Sequence, residues 1–533
     1  MIGSPERGSA HPPMTWEWLE PGDFSFHGFG TLRPDERRKI SKLGIRRGAP
    51  AVTVVADAIF VPNLETASTD QSKVVGGLVG SDGQPIERAQ LHRKGGKHFG
   101  GLVEEVTVTA EYEQDQDIVY LGPLFYHYGR FLLETLARVW YLSAVDPAVM
   151  VGFNSTTEKR AIQLAEGEYR PWVISLLSLF GIPRERIFAL EAPTRLRRAI
   201  VPEPLFEQHY SAHVDMVRPF REVAARVAAD VVPSEQPLYL SRRRLTSAQR
   251  PVVGESELED LLRAQGFAIA YPETMTFEDQ IRLINSHQDI FSTVGSAAHS
   301  ILFALGKPRL HLLAHRDSIP ANFFLCSVLA EAPTTFINCL GSGDRRSIKA
   351  ERVSQRAERF ETRKKDPAGD SAIGPQAEPQ LLELDRFANY LDQQGFLRHQ
   401  SPSVMPGAVS AARIQRQYDE AWYYVRLRKT SKKRGSLPAD LEREALDLAS
   451  ESWPITYMLA VCYARAADRS CADALANQFA ALVDEESDAD RFEYYRGDIH
   501  ATAKYVLPQC EPETANRLAA IVATRFPEKG PTA

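Results

Sequence analysis

The sequence predicts an α/β protein with a β-rich entry region and an all-helical C-terminal region. β-branched runs occupy residues 52–55 and 58–61, near the start of the chain. Between residues 150 and 313, short apolar runs alternate with segments of helical periodicity, which is typical of a parallel sheet flanked by helices. From residue 381 onward, apolar residues recur only with helical spacing.

The composition is that of an ordinary globular protein. The chain has 533 residues, 44% of them hydrophobic and 25% charged, and this length suggests about two to four domains. The formal net charge is −6, which argues against a general binder of nucleic acid or anionic membranes. Five cysteines form neither a CxxC pair nor a zinc spacing, so free thiols in a reducing compartment are expected.

No targeting or membrane-spanning segment is apparent in the sequence. The first thirty residues lack a continuous apolar stretch, and the densest apolar run, 172–182, is shorter than the roughly 20 residues that cross a bilayer. These features favour a cytoplasmic protein and leave peripheral attachment at the inner membrane face open.

The entry region is expected to be mostly strand and loop. Residues 1–48 lack sustained periodicity and are predicted to be irregular, with short helices. Strands are predicted at 52–55, 58–61 and 102–108, with a hairpin turn at Ser81-Asp82-Gly83.

A helix with a charged edge is predicted after Gly129. Leu132, Leu136, Val139 and Trp140 share one face at 3.6-residue spacing. A second edge is polar and comprises His127, Arg130, Glu134 and Arg138. Such an edge either lines a cleft or is a surface Glu–Arg pair worth roughly a few tenths of a kcal/mol.

Further along, strands and helices alternate in two groups. Helices are predicted at 169–180 and 217–231. A second group begins near residue 237, and its elements are a strand at 238–240, a helix at 255–265, a strand at 267–270, a capped helix from Thr276, a strand at 289–294 and a strand at 309–313. The turn at 295–300 joins a strand to a helix.

Two ordered sets of residues resemble family 61 glycosyltransferases of the bacterial capsular polysaccharide type. The first, 127–134 followed by Arg138, resembles Asn-aromatic-x-His-aromatic-Leu-x-Glu/Asp-x-x-x-Arg, with His127 in place of Asn and Arg130 in place of His. The second consists of Leu240-Ser241-Arg242, Gly266-Phe267, Glu273, Thr276-Phe277-Glu278-Asp279-Gln280 and Gly295-Ser296-Ala297-Ala298-His299, in the family's order. Ser300 stands where the family usually has Asn, and Ala304-Leu305-Gly306 replaces its Pro-Pro-Gly.

The resemblance covers about 52–340 and implies a GT-B-like pair of Rossmann-type domains. The acceptor-side domain would be 49–235 and the nucleotide-sugar domain 236–340. A charged linker, 341–380, would lead to a helical domain at 381–533 that is a candidate for contacting a protein partner.

The resemblance also implies a donor site at strand ends. Small residues at a strand-to-helix turn let phosphates approach backbone N–H groups, and an arginine can form charge-assisted bonds to them. The predicted donor-binding residues are Arg242, Glu273, Thr276, Gly295, Ser296, Ala297 and His299. Glu273 and Thr276 would contact the ribose or base, or else cap a helix. No Asp-x-Asp motif follows a strand in this region, so neither a metal nor a cofactor beyond the nucleotide sugar is expected.

The chemistry implied is an inverting transfer, which needs a base for the acceptor hydroxyl and positive charge near the leaving diphosphate. His127 and Glu134 are the base candidates, and Arg130 would contact the acceptor or the phosphates. The resemblance therefore implies an inverting, metal-independent glycosyltransferase that moves a sugar from a nucleotide sugar, expected to be UDP-linked, to a glycan or lipid-linked glycan in surface polysaccharide synthesis. The alternatives are a non-catalytic nucleotide- or glycan-binding scaffold and a serine hydrolase using Ser296 and His299, although the Gly-x-Ser-x-Gly elbow is absent.

Overall fold

The computed structural model describes most of the chain. The described residues are 14–62, 76–101, 107–154, 170–190, 192–245, 252–314, 319–339, 380–382, 384–397, 408–431, 437–486 and 489–526. The predicted strand at 102–108 and the predicted linker at 341–380 lie largely outside them.

The chain divides into two compact units. The first comprises Met1–Pro237, Met275–Leu312 and Ser318–Phe336, and the second comprises Leu238–Thr274, Leu313–Asp317 and Ile337–Ala533. The first unit combines sheets with helices, whereas the second is mainly helical. The predicted mixed α/β architecture and the helical C-terminal region are confirmed.

A six-stranded sheet forms the centre of the first unit. In spatial order its strands are Ile187–Ala189, Met150–Asn154, Tyr112–Pro123, Thr194–Pro202, Val52–Val61 and Gly77–Val79. The first four strands run parallel to one another. The fifth strand is antiparallel to the fourth, and the sixth is antiparallel to the fifth. Residues 118–121 of the third strand are fully buried, as expected for an apolar run covered on both faces.

Two predictions about the entry region are corrected. The runs at 52–55 and 58–61 form one strand, Val52–Val61, in which Asp57 takes a left-handed conformation with φ 52°. Within the segment predicted to be irregular, Thr15–Trp18 pairs antiparallel with Gly44–Arg47. The strand Thr15–Trp18 is only four residues long, and although polar and aromatic residues alternate in it, all four are exposed.

Short elements complete the first unit around a second sheet. The strands Asp289–Thr293, Arg309–Ala314, Thr334–Asn338 and Ser25–His27 lie side by side in that order. The other strands are Ser211–His213, Phe206–Glu207 and the antiparallel hairpin Leu91–Arg93 and Lys97–Gly100. The α-helices are Pro34–Ile40, Pro171–Leu179, Arg218–Val227, Phe277–Ser286 and Ala321–Leu329, apart from the helical segments described below.

The second unit begins with a small βαβ element and continues as helices. Leu238–Leu240 pairs in parallel with Ala268–Ala270, and Glu255–Ala264 connects them. The later helices are Leu384–Gln393, Ala408–Thr430, Ala439–Ala449, Trp453–Arg465, Arg469–Glu485, Ala489–Val506 and Pro512–Arg525. Their core is aromatic, since Trp453 packs against Phe479 and Phe526. None of the helices described here is both long enough and apolar enough to cross a membrane.

A buried arginine ties the predicted charged helix to the central sheet. Arg138 is fully buried and donates to the carbonyl oxygens of Pro202, Arg88 and Gln90 at 3.1, 3.0 and 3.2 Å. Burial lowers the pKa of this guanidinium to about 10. Its predicted place on a polar edge with Glu134 is therefore wrong, because its side chain points into the interior.

Gly122 makes room for this arginine. Its φ is +83°, a conformation that L side chains rarely adopt, and an added Cβ would lie 2.6 Å from Arg138 Nη1. We expect Gly122→Ala to lower the free energy of unfolding by about 2–4 kcal/mol, the sum of backbone strain and steric conflict. Urea unfolding of the purified protein measures this loss.

Gly181→Ala is the matched control. Gly181 has a similar φ of +75° but no atom lies within 4 Å of an added Cβ, so it should cost only about 1 kcal/mol. Equal losses in the two variants would show that contact with Arg138 is not what excludes a side chain at Gly122.

Candidate active site

The predicted charged helix is helical but irregular in pitch. Tyr128–Arg130 is an α-turn, Phe131–Thr135 is a π-helix and Leu136–Ala144 is a 3-10 helix. Short π segments often occur at functional sites. The changes in pitch explain why a 3.6-residue spacing placed Glu134 and Arg138 on one edge whereas the structure separates them.

Glu134 lies in a buried ion pair with two arginines. Its side chain is 2% exposed, and its Oε1 and Oε2 accept from Arg93 Nε and Nη2 at 2.7 and 2.6 Å. Arg130 Nε donates to Oε2 at 2.8 Å. Both carboxylate oxygens are therefore engaged. The pairing of Arg93 with Glu134 could not be predicted from the sequence, because the two residues are 41 positions apart and no local pattern links them.

Arg130 and His127 lie at the start of the same helical segment. The Arg130 guanidinium stacks over the Phe125 ring, 3.6 Å from its centroid. His127 is exposed, and its Nδ1 accepts the backbone N–H of Arg130 at 3.4 Å as a helix cap. With Nδ1 accepting, a neutral His127 carries its proton on Nε2.

The small-residue turn contacts this helical segment directly. Ser296–Phe303 forms a 3-10 helix with Gly295 at its N-cap, and Gly295, Ser296 and Ala297 are half-buried. A Cβ added to Gly129 would lie 3.0 Å from Ser296 Oγ and 3.2 Å from His299 Cδ2. The two sequence motifs therefore touch where Gly129 has no side chain.

Two contacts of Tyr128, a hydrogen bond and a ring stack, strengthen this junction. The hydroxyl groups of Tyr128 and Ser300 are 2.8 Å apart. The Tyr128 ring also stacks on Phe277, with centroids 5.9 Å apart. Ser300, which departs from the family pattern, is thus one of the residues that join the two motifs.

His299 is a buried, neutral imidazole. Its ring stacks on Phe323 at 4.6 Å, and burial, followed by the nearby charge of His127, lowers its pKa to about 3. Its Nδ1 has no hydrogen-bond partner within the described residues. It does not form a hydrogen bond with Ser296 in that part of the chain, which leaves the serine hydrolase alternative without its nucleophile–base pair.

Thr276 acts as a helix cap in the structure. Its Oγ1 accepts the backbone N–H of Asp279 at 3.1 Å and donates to the Asp279 carboxylate at 2.8 Å. This is the structural alternative that the sequence left open, and it occupies the Thr276 hydroxyl.

Arg242 and Glu273 belong to the second compact unit, whereas the other predicted donor-binding residues belong to the first. Glu255 accepts the backbone N–H of Arg242 at 3.0 Å and the Tyr239 hydroxyl at 2.8 Å. Glu273 Oε1 is buried without a hydrogen-bond partner among the described residues. Burial, and then the charge of Glu255, raises the pKa of Glu273 to about 7.

One group of side chains could hold a divalent cation. Glu87, His92 and His98 each offer a ligand atom, and these atoms lie within 4.8 Å of one another. The hairpin register places His92 opposite His98. This group could not be predicted from the sequence, because the spacing of its three residues matches no recognised metal motif.

Gly129→Ala tests the contact between the two motifs. Alanine in place of a helical glycine usually stabilises by about 0.5–1 kcal/mol. Here we expect a loss of about 1–2 kcal/mol instead, because the new methyl would crowd Ser296 and His299. Urea unfolding measures the sign of this change in the free energy of unfolding.

Gly306→Ala is the control, since an added Cβ there meets nothing within 4 Å. If both variants were more stable than the wild type, the close approach of Ser296 and His299 to Gly129 would be contradicted.

Glu273→Gln tests the buried carboxyl group. The folded-state pKa of Glu273, about 7, lies above the ordinary value of 4.5 for a glutamate. The stability that the protonated Glu273 contributes is therefore complete at low pH and is lost as pH rises through 7. Glutamine cannot ionise, so at about pH 8 the variant should have a free energy of unfolding up to about 3 kcal/mol higher than the wild type and should unfold at a higher temperature. At about pH 5 the two proteins should be equally stable. Thermal unfolding across this range measures the difference. The exposed Glu235→Gln is the control, and a pH-independent difference would refute the assignment.

Comparison with known proteins gives one result for this region. A search of curated proteins finds no match. The model of the glycosyltransferase 61 family matches residues 128–309, about a third of the chain. The matched span includes Arg130, Glu134 and the turn at Gly295. Over these residues the chain is similar to family 61 glycosyltransferases.

Proposed function

We propose that this protein is a glycosyltransferase that moves a sugar from a nucleotide sugar to a glycan or lipid-linked glycan. The observation that carries the proposal is the direct contact between the helical segment at Gly129 and the turn at Ser296 and His299. Both lie within the span similar to family 61 glycosyltransferases. A GT-B-like arrangement, a UDP-linked donor and a role in surface polysaccharide synthesis are parts of the same proposal.

The turn has the chemistry to receive a diphosphate. Gly295, Ser296 and Ala297 are small and half-buried, so phosphate oxygens could approach the backbone N–H groups that start the 3-10 helix. The depressed pKa of His299 keeps it neutral near pH 7. It would therefore act towards a phosphate as a neutral hydrogen-bond donor rather than as a cation.

In the proposed reaction, the acceptor hydroxyl attacks the anomeric carbon while the bond from that carbon to the diphosphate oxygen breaks. A base takes the hydroxyl proton, and the nucleoside diphosphate leaves with the electron pair. Arg130 is oriented by Glu134 and Phe125, and we assign it to the developing negative charge.

Between the two base candidates, the contacts favour His127. Glu134 is buried and accepts three N–H groups at 2.6 to 2.8 Å. His127 is exposed, and its Nδ1, the nitrogen that would take the proton, accepts a cap bond of 3.4 Å, which is longer than an ordinary hydrogen bond. Proton transfer to Nδ1 would displace this cap bond. Glu134 is then a positioning residue that holds Arg130.

Turnover with a panel of nucleotide sugars tests the proposal. With wild-type protein we expect release of a nucleoside diphosphate from at least one donor when acceptor is present, and thermal stabilisation by that donor. His127→Gln should lower the turnover rate by about 100-fold or more with donor affinity retained. Coupled-enzyme detection of the released diphosphate and calorimetry measure these two quantities.

A matched variant and a clear negative outcome complete the test. His287→Asn alters a histidine that contacts the backbone carbonyl of Gln236, and it should leave turnover unchanged. If no donor in the panel is bound or consumed, the transferase proposal is wrong. Donor binding without turnover in any condition would favour the scaffold alternative.

A further inference from the structure

A cavity of about 620 Å³ lies in the first compact unit, apart from the residues that the sequence singled out. Its walls come from the N-terminal sheet, the end of the first helix and the loop at 94–96. The lining residues are Trp18, Lys39, Ser41, Lys42, Lys94, His209 and Tyr210. This size accommodates a ligand of several ring units.

One wall of the cavity is aromatic. Trp16 and Trp18 stack with ring centroids 5.1 Å apart, and Tyr210 lies 5.7 and 6.3 Å from them. The two tryptophans are 40% and 49% exposed. Large aromatic rings left in solvent on a strand commonly mark a binding surface. Their negative faces suit the polarised C–H bonds of a sugar ring.

The cavity lining also carries three lysines. Lys39 Nζ pairs with Glu36 at 2.5 Å and donates to the carbonyl oxygen of Ile319 at 2.6 Å. Lys42 and Lys94 have no ion-pair partner in the described chain, although the protein as a whole is acidic with a net charge of −6. A local surplus of ammonium groups in an acidic protein favours an anionic ligand.

The backbone holds this part of the lining in a strained form. Lys94 and His209 have φ values of 55° and 64°, which non-glycine residues adopt rarely. Lys94 donates its N–H to Gln208 at 3.0 Å, and His209 donates to Asn322 Oδ1 at 2.9 Å. The Glu207 carboxylate also accepts the N–H groups of residues 95 and 96 at 2.9 and 2.7 Å. Strain maintained by so many contacts is typical of ligand-binding sites.

The cavity adjoins the candidate active site through one strand. Leu91–Arg93 ends at Arg93, whose guanidinium pairs with Glu134, and the next residue, Lys94, lines the cavity. The diphosphate of the donor is already assigned to the turn at Gly295. A neighbouring site with an aromatic wall therefore suits the sugar chain that receives the transferred residue.

We propose that this cavity binds an anionic saccharide, with sugar rings on Trp18 and Tyr210 and carboxylate or phosphate groups on Lys42 and Lys94. Describing this saccharide as the acceptor rests on the proposed transferase function. The binding itself does not depend on that function.

Calorimetric titration of the full-length protein tests the site with four probes. These are a tetrasaccharide of galacturonic acid, a phosphorylated mannose oligosaccharide, neutral maltotetraose and UDP. We expect at least one of the two anionic oligosaccharides to bind, which identifies the anionic group, and neutral maltotetraose to bind at least about tenfold more weakly. Affinity should fall as salt rises.

Variants locate the binding. Lys42→Gln, Lys94→Gln and Trp18→Ala should each weaken the anionic oligosaccharide about tenfold, roughly the loss of one good contact, and leave UDP affinity unchanged. Lys97→Gln is the control, because Lys97 lies on the same hairpin but does not line the cavity. Thermal unfolding verifies that each variant is folded.

The outcomes separate this proposal from the transferase proposal. Equal binding of maltotetraose, unchanged affinity in both lysine variants, or loss of UDP binding in them would overturn the saccharide site. Saccharide binding without any nucleotide-sugar turnover would leave the site in place and refute the transferase function. Nucleotide-sugar turnover without saccharide binding would refute the saccharide site and leave the transferase function in place.

Discussion

The ion pair between Arg93, Glu134 and Arg130 is the interaction on which the candidate site depends. It joins the hairpin strand Leu91–Arg93 to the helical segment that carries His127 and Gly129. Because Glu134 is 2% exposed, losing either arginine would leave a buried charge partly uncompensated, at a cost of about 3–5 kcal/mol. The orientation of Arg130 therefore depends on a residue that is distant in sequence.

A second constraint is spatial. The turn at Ser296 and His299 approaches so closely that a methyl group at Gly129 would lie 3.0 Å from Ser296 Oγ and would require its neighbours to shift. The π and 3-10 turns that follow rotate Glu134 towards Arg93 and Arg138 towards the sheet. A regular α-helix would place these two side chains on one edge, so the irregular pitch is what allows one short segment to serve both the site and the core.

Sequence reasoning succeeded where the determinants are local. Apolar periodicity located the helix Glu255–Ala264 and the helical character of the C-terminal region, and the Thr276 cap followed from its side chain and the acid three residues later. It failed where the determinants are distant or unpatterned. Arg93 pairs with Glu134 across 41 residues, and the exposed strand Thr15–Trp18 has no buried face to detect.

Magnitudes bear on the proposed choice between the two candidates for the base. A general base contributes roughly 100- to 10,000-fold in rate, or about 3–5 kcal/mol of barrier. For Glu134 to take a proton, it would have to give up hydrogen bonds to Arg93 or Arg130 in a buried setting, and breaking such a pair costs about the same amount. The gain and the cost would then nearly cancel. His127 is exposed, and taking a proton at its Nδ1 would displace the 3.4 Å cap bond from the Arg130 N–H. This comparison supports the proposal of a histidine base beside an arginine that Glu134 holds in place.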